Sequence, residues 1–142
     1  MGTVIVCGSG EADAAIRALL PQAELIETAA AHVEARSAVV VLGRSGRLRV
    51  NSALGVIVNS DEPPEDIPEG VQLITVGHGA KNTVSITSCT PERLTLSLNR
   101  AVQTLAGICE PFELPFTAAE ELTENGCMAA FAAGILLGEI SL

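Results

Sequence analysis

The residues best suited to chemistry are polar clusters that follow short apolar runs. Val56-Ile57-Val58 leads into Asn59-Ser60-Asp61-Glu62-Pro63, Val4-Ile5-Val6-Cys7 into Gly8-Ser9-Gly10, and Leu73-Ile74-Thr75-Val76 into Gly77-His78-Gly79-Ala80-Lys81. An Asn-Ser-Asp tip on a buried strand has the form of half a nucleotide site, and open α/β sheets bind ligands at the carboxyl ends of their strands. Asn59 and Asp61 are therefore the first candidates to line a ligand crevice. Gly77-His78-Gly79-Ala80-Lys81 has the glycine content of an anion nest, but a strand pattern rather than a helix follows it, so an ordinary turn is the better reading. Gly77, His78 and Lys81 complete the ligand-binding candidates, with His78 and Lys81 the best polar pair near the expected sheet edge, and no residue is assigned a catalytic role.

The glycine pair after the first apolar run does not make a phosphate loop. No Lys follows it, and Asp13 stands where a dinucleotide fingerprint has its third Gly. Glu11 and Asp13 would also sit in the first helical turn, so a phosphate arriving there would meet like charge. A tight strand-to-helix turn is the simpler reading.

Other polar residues carry less. Asp61, Glu62, Glu65 and Asp66 form either a carboxylate cluster or, as prolines around them suggest, a solvated acidic loop. His32 reads as a surface residue beside Glu34, no His/Cys/Asp group has metal-ligand spacing, and Ser9, Ser45 and Ser60 lack a nucleophile elbow. Cys7, Cys89, Cys109 and Cys127 contain no C-x-x-C pair and read as small thiols in or beside apolar runs.

These clusters need elements to hold them. Residues 3–7 form a β-branched run, and residues 11–20 carry Ala15, Ile16, Leu19 and Leu20 at helical spacing before Pro21. Further strands are predicted over 23–26, 37–42 and 55–58, with a short helix over 29–36, and this alternation implies a parallel sheet. Residues 44–49 are the one basic patch, and 62–70 a loop. Strands over 71–76, 83–88 and 93–98 then read as a meander, which 101–105 and 112–116 extend. A helix is predicted over 118–137, capped by Thr117 with Glu120 as its capping-box partner, with Gly126 splitting it. The spacing of Gly134 and Gly138 in that helix permits close backbone approach to another part of the fold, or to another subunit.

The predicted fold is a single α/β domain over 1–142: three layers, a mostly parallel Rossmann-like sheet, a small antiparallel β extension and a C-terminal helix. With 142 residues there is room for one substantial core, and with only three Phe and no Tyr or Trp it must be built from Val, Ile, Leu and Ala. A net charge of −9 with eight Lys and Arg argues against a nucleic-acid partner and against an anionic membrane surface. The uncharged stretch 125–138 is shorter than the roughly 20 residues of a membrane span. The opening Met1-Gly2-Thr3 leads straight into a strand pattern without a basic region and long apolar run, so the expected location is cytoplasmic.

Val56 to Pro63 resembles the strand and Asn-Ala-Asp-Asp-Pro tip of the Mur ligase central domain, an ATP-dependent fold that adds amino acids to peptidoglycan precursors. The similarity continues over residues 55–140: a strand ending at Gly77, a small β region, and a helix rich in Asn and Ala (Glu124-Asn125-Gly126-Cys127-Met128-Ala129-Ala130). It implies that Asn59, with Asp61, lies near a nucleotide base. That family's phosphate loop ends in Gly-Lys-Thr or Gly-Lys-Ser, whereas Gly8 to Asp13 has no Lys, and the family's third domain has no counterpart here. The resemblance therefore implies a non-catalytic domain that binds a nucleotide or UDP-linked ligand near Asn59 and has no other cofactor. The alternatives are an interaction or structural subunit completed by a partner chain or a second copy, and an enzyme with a site near His78.

Overall fold

A computed structural model of the chain describes residues 2–8, 10–28, 32–43, 49–64, 67–90, 93–117 and 122–140. Among these, β1 (Thr3–Cys7), α1 (Gly10–Leu19), β2 (Glu24–Glu27), β3 (His32–Leu42), β4 (Arg49–Asn59) and β5 (Leu73–Val76) form the first half. The second half comprises β6 (Val84–Cys89), β7 (Leu94–Leu98), β8 (Val102–Thr104), β9 (Gly107–Cys109), β10 (Phe112–Phe116) and α2 (Glu124–Leu136). The described residues form an eight-stranded sheet ordered β10-β7-β6-β5-β4-β3-β1-β2, with β8 and β9 making a separate antiparallel pair. Pairing is parallel from β2 across to β6, and antiparallel between β6 and β7 and between β7 and β10. The α/β class, the mostly parallel sheet, its antiparallel extension and the C-terminal helix follow the sequence pattern.

The period of two sorts the sheet residues between its faces. Val4, Val6, Val39, Val41, Ile57, Ile74 and Val76 share one core cluster with α1 and α2, whereas Ile5, Cys7, Val40, Leu42, Val56 and Val58 belong to a second cluster. Both helices thus cover the same face. The second face is closed by the chain's own strands, because Val33 and Val50 join its cluster and Ala53 packs against it.

Chain length explains how they reach it. Thr28 donates to the Val6 carbonyl near the carboxyl edge of β1, and the steps from there to His32 span at most about 14 Å. A straight eleven-residue β3 would place its first residue roughly 33 Å from that edge. The β3/β4 pair must therefore bend, and its register shifts between Ala35 and Val39 mark where. The helix predicted over 29–36 is corrected here: from His32 onward that segment is strand, since pairing with β4 outweighs the helical preference of its alanines. Residues 29–31 lie outside the described residues, as do 44–48 of the basic patch, and Arg49 opens β4.

The C-terminal helix also begins later than its pattern suggested. Its N-cap is Thr123, whose hydroxyl accepts from the Gly126 N–H at 3.0 Å, whereas Thr117 lies outside the helix and Glu120 outside the described residues. Gly126 does not split α2; it lies in the first turn, where a Cβ would come within 2.6 Å of the Glu11 backbone oxygen. From Gly126 to Leu136 every residue is buried. The helix ends at Gly138, whose φ of +76° fits the left-handed position after a C-cap, with Gly138 N–H bonding to Ile135 O and Glu139 N–H to Gly134 O. Gly134 and Gly138 are close-approach positions within the chain, facing Ile140 and Leu20 in one case and Ala106 in the other.

The crossing of α1 and α2 at Gly126 gives a test. Gly126→Ala gains helix propensity but must displace backbone, so it is expected to lower unfolding free energy by about 1–3 kcal/mol. Gly10→Ala, with open space around its added Cβ, is expected to change it little. Urea titration of both variants checks the pair, and equal stability would show that the helices do not meet there.

Candidate functional site

In this sheet the carboxyl ends of β1, β3, β4 and β5 lie side by side. Cys7 pairs with Leu42, Leu42 with Val58, and Asn59 with Val76, so Gly8, Gly43, Asn59 and Gly77 end their strands along one edge. Strand order reverses between β1 and β3, because β2 lies on one side of β1 and β3 on the other. Such a switch point is where neighbouring connections leave in opposite directions and open a crevice. A crevice of about 280 Å³ occurs there, lined by Gly8, Gly10, Glu11, Gly43, Asn59, Glu62 and Asn125 over an apolar floor that includes Val41, Ile57 and Val76. The N-terminal turns of α1 and α2 form its wall.

Asn59 is thus a lining residue, as the sequence suggests. Its Oδ1 accepts from the Asp61 N–H at 2.8 Å, which fixes the tip as a side-chain-closed turn. Asn125 also lines the crevice, while its Oδ1 is shielded from solvent and has no hydrogen-bond partner among the described residues.

Asp61 and His78 come together on the rim rather than on the crevice wall. His78 Nδ1 lies 3.3 Å from Asp61 Oδ2, and its Nε2 lies 2.9 Å from Glu124 Oε2. The second oxygen of Glu124 accepts from Cys89 Sγ at 3.0 Å. Four segments remote in sequence are joined: the β4 tip, the turn after β5, the end of β6 and the first turn of α2. A neutral imidazole can donate to only one of its two carboxylates, so both bonds are made in full by the imidazolium. The pKa of His78 is accordingly raised, chiefly by the bond to Glu124 and then by that to Asp61. Glu124 is shifted down by His78 and then by Cys89, and the Cys89 thiol is shifted up by Glu124. Cys89 is therefore a poor nucleophile, since the carboxylate beside it opposes the thiolate.

Gly77 and Lys81 have other roles. A Cβ on Gly77 would come within 2.6 Å of Ser60 Oγ and 2.7 Å of Asn82 Nδ2, so Gly77 permits close packing of two loops. The Lys81 side chain is exposed and away from the crevice lining, while its backbone carbonyl accepts from Arg100. His78 and Lys81 are thus not a pair; Asp61 and Glu124 are the partners of His78. Asn99 secures the turn by donating to Asn82 O and Ser85 Oγ, both at 2.9 Å. His32 lies exposed on β3, near Glu34 and Asn51. Glu65 and Asp66 fall outside the described residues, so the acidic loop is described only in part.

Sequence reasoning missed Glu124, Cys89 and Asn125 as members of this edge, and Glu11 and Glu62 as crevice lining. Among the described residues no group of three or more His, Cys, Asp or Glu is arranged to hold a metal ion. No described helix is long and apolar enough to cross a membrane. No protein-family model matches the chain, and neither a curated protein nor a solved structure does.

The rim cluster has a defined pH signature. The raised pKa of His78 means that its contribution is complete below the ordinary value of 6.5 and is lost as pH rises through the folded value. The lowered pKa of Glu124 means that its contribution is complete above 4.5 and is lost as pH falls through the folded value. With 53% of the His78 side chain exposed, solvent screening holds the effect under about 1 kcal/mol, or roughly 2–4 °C in Tm. Melting curves of the wild type and His78→Gln are expected to differ most between the ordinary values of 4.5 and 6.5 and to converge as pH rises through the folded pKa of His78. A gap that widens with pH would contradict the imidazolium assignment.

Proposed function

We propose that the chain is a non-catalytic ligand-binding domain that holds a nucleoside-sized group in the crevice at the β1/β3 switch point, with its base toward Asn59. The supporting observation is that Asn59, anchored through its own Oδ1, lines a crevice between two helix N-termini at the carboxyl edge of a parallel sheet. The crevice volume lies at the lower end of small-molecule sites, enough for a base and its sugar, with any longer UDP-linked portion outside. On this reading the sheet works in the Rossmann-like manner, and the chain is a reduced relative of the Mur ligase central domain that retains the base side of the site. The absence of a Lys after Gly8-Ser9-Gly10 and the acids at the start of α1 argue against phosphoryl transfer, which depends on stabilising phosphate charge.

A second reading is an interaction subunit completed by a partner chain or a second copy. It is favoured by the β8–β9 hairpin, where Leu105 is 51% and Ile108 63% exposed. An enzyme centred on His78 has less support, because the imidazole and the Cys89 thiol are both engaged with carboxylates on the rim.

Thermal-shift assays with nucleosides, ATP, ADP, UDP and UDP-sugars, each with and without Mg²⁺, separate the first two readings. Ligand at 100 times its Kd stabilises the native state by about 2.7 kcal/mol, and this gain is expected to disappear in Asn59→Ala. If no compound shifts the wild type while light scattering gives a mass above one chain, the interaction reading replaces the binding one.

A further inference from the structure

Asp61 and Glu124 sit beside the residues that line the crevice. Asp61 stands between Asn59 and Glu62, and Glu124 precedes Asn125; Asn59, Glu62 and Asn125 are all lining residues. His78 is not among the lining residues, but it bridges the β4 tip to the first turn of α2, 3.3 Å from Asp61 Oδ2 and 2.9 Å from Glu124 Oε2. The ring therefore ties two parts of the crevice mouth together, and how firmly it does so depends on its protons.

The imidazolium has an N–H for each carboxylate, whereas the neutral ring keeps one N–H and turns a lone pair toward the other carboxylate. Glu124 is better placed to keep the bond. It lies closer, it belongs to a helix capped by Thr123, and its other oxygen is engaged by Cys89. Asp61 is then left against a ring nitrogen without a proton, acceptor facing acceptor. The backbone up to Asp61 stays pinned, the Ser60 N–H by Val76 O at 2.9 Å and the Asp61 N–H by Asn59 Oδ1 at 2.8 Å. What is freed is the Asp61 side chain and the chain beyond it, beginning with Glu62. Among the described residues the charged groups that act on the ring are Glu124 and Asp61; Cys89, at the end of β6, meets it only through Glu124, and Lys81, on the same turn, is exposed.

We propose that His78 is a proton-operated latch on the mouth of the crevice, closed by the imidazolium and released on the Asp61 side when the ring becomes neutral. Its use in governing ligand entry rests on the binding reading above; the latch itself operates without a ligand.

Methyl NMR of the full chain tests this. Relaxation by a soluble gadolinium chelate reports access to the crevice floor at Ile57 and Val76, and the ring signals of His78 give its titration. A bond between half-exposed groups shifts an open population by at most about fivefold. Relaxation at Ile57 and Val76 is therefore expected to rise about two- to fivefold as pH rises through the ring titration, with the same midpoint. Val40 and Val56, in the core cluster on the other face of the sheet, should stay unchanged. Asp61→Ala and His78→Gln should show the raised value on both sides of the wild-type midpoint. No step at the floor, a step that survives in Asp61→Ala, or a rise shared by Val40 and Val56 overturns the latch. Each of these outcomes leaves the binding reading in place, whose own failure is a wild type that no nucleotide stabilises.

Discussion

The structure depends on a helix with no water-facing side. From Gly126 to Leu136, α2 is buried throughout, between the sheet, α1 and the segments around β8. Burying side chains such as Met128, Phe131, Ile135 and Leu136 contributes about 1.5–3 kcal/mol each. Ala129, Ala130, Ala132 and Ala133 serve a different purpose, because their small side chains let neighbours approach from several directions. Backbone also comes close at Gly126, where a Cβ would lie within 2.6 Å of the Glu11 backbone oxygen, and at Gly55, where one would lie within 2.7 Å of Leu136. These contacts fix α2 antiparallel to the strands, with its first turn at their carboxyl ends. The core therefore determines which polar groups stand over the crevice.

Much of this was legible from residue order. The runs ending at Cys7, Asn59 and Val76 were recognisable as strands because each is apolar, short and stopped by a turn residue. Once the sheet was read as parallel, Asn59 belonged at its carboxyl edge. The segment over 32–36 was misread because alanine and charged residues suit a helix, and only pairing with residues 49–53 makes it a strand. Thr117 and Glu120 matched a capping box, but Thr123 is the hydroxyl residue placed just before the fully buried stretch. A local motif describes which caps suit a helix; burial decides where this one starts.

The rim cluster was illegible for a different reason. His78 and Glu124 are 46 positions apart, and no local pattern links them. Their meeting follows from two facts of the fold: β5 ends at the same edge as β4, and α2 starts there. The sequence did identify Asp61 and His78 as polar groups near that edge. It paired His78 with Lys81, which is close in the chain, because sequence proximity was the available guide. In the structure the His78 ring instead bonds to Asp61 and Glu124, two of the acids at this edge of a strongly acidic chain.

The division of labour between rim and crevice follows from hydrogen-bond capacity. On the rim, the imidazole, the two carboxylates and the thiol use one another as partners, so a ligand would have to break existing bonds to engage them. In the crevice, the Asn59 amide is held by only one of its ends, so a ligand could bond to it without breaking that contact. The same carboxyl edge thus combines a clasp that holds the loops with a cleft that they frame. A fold of this class does not carry an activity with it. What distinguishes this chain is the chemistry along that edge, where the rim groups bond to one another beside a cleft lined by Asn59, Glu11 and Glu62.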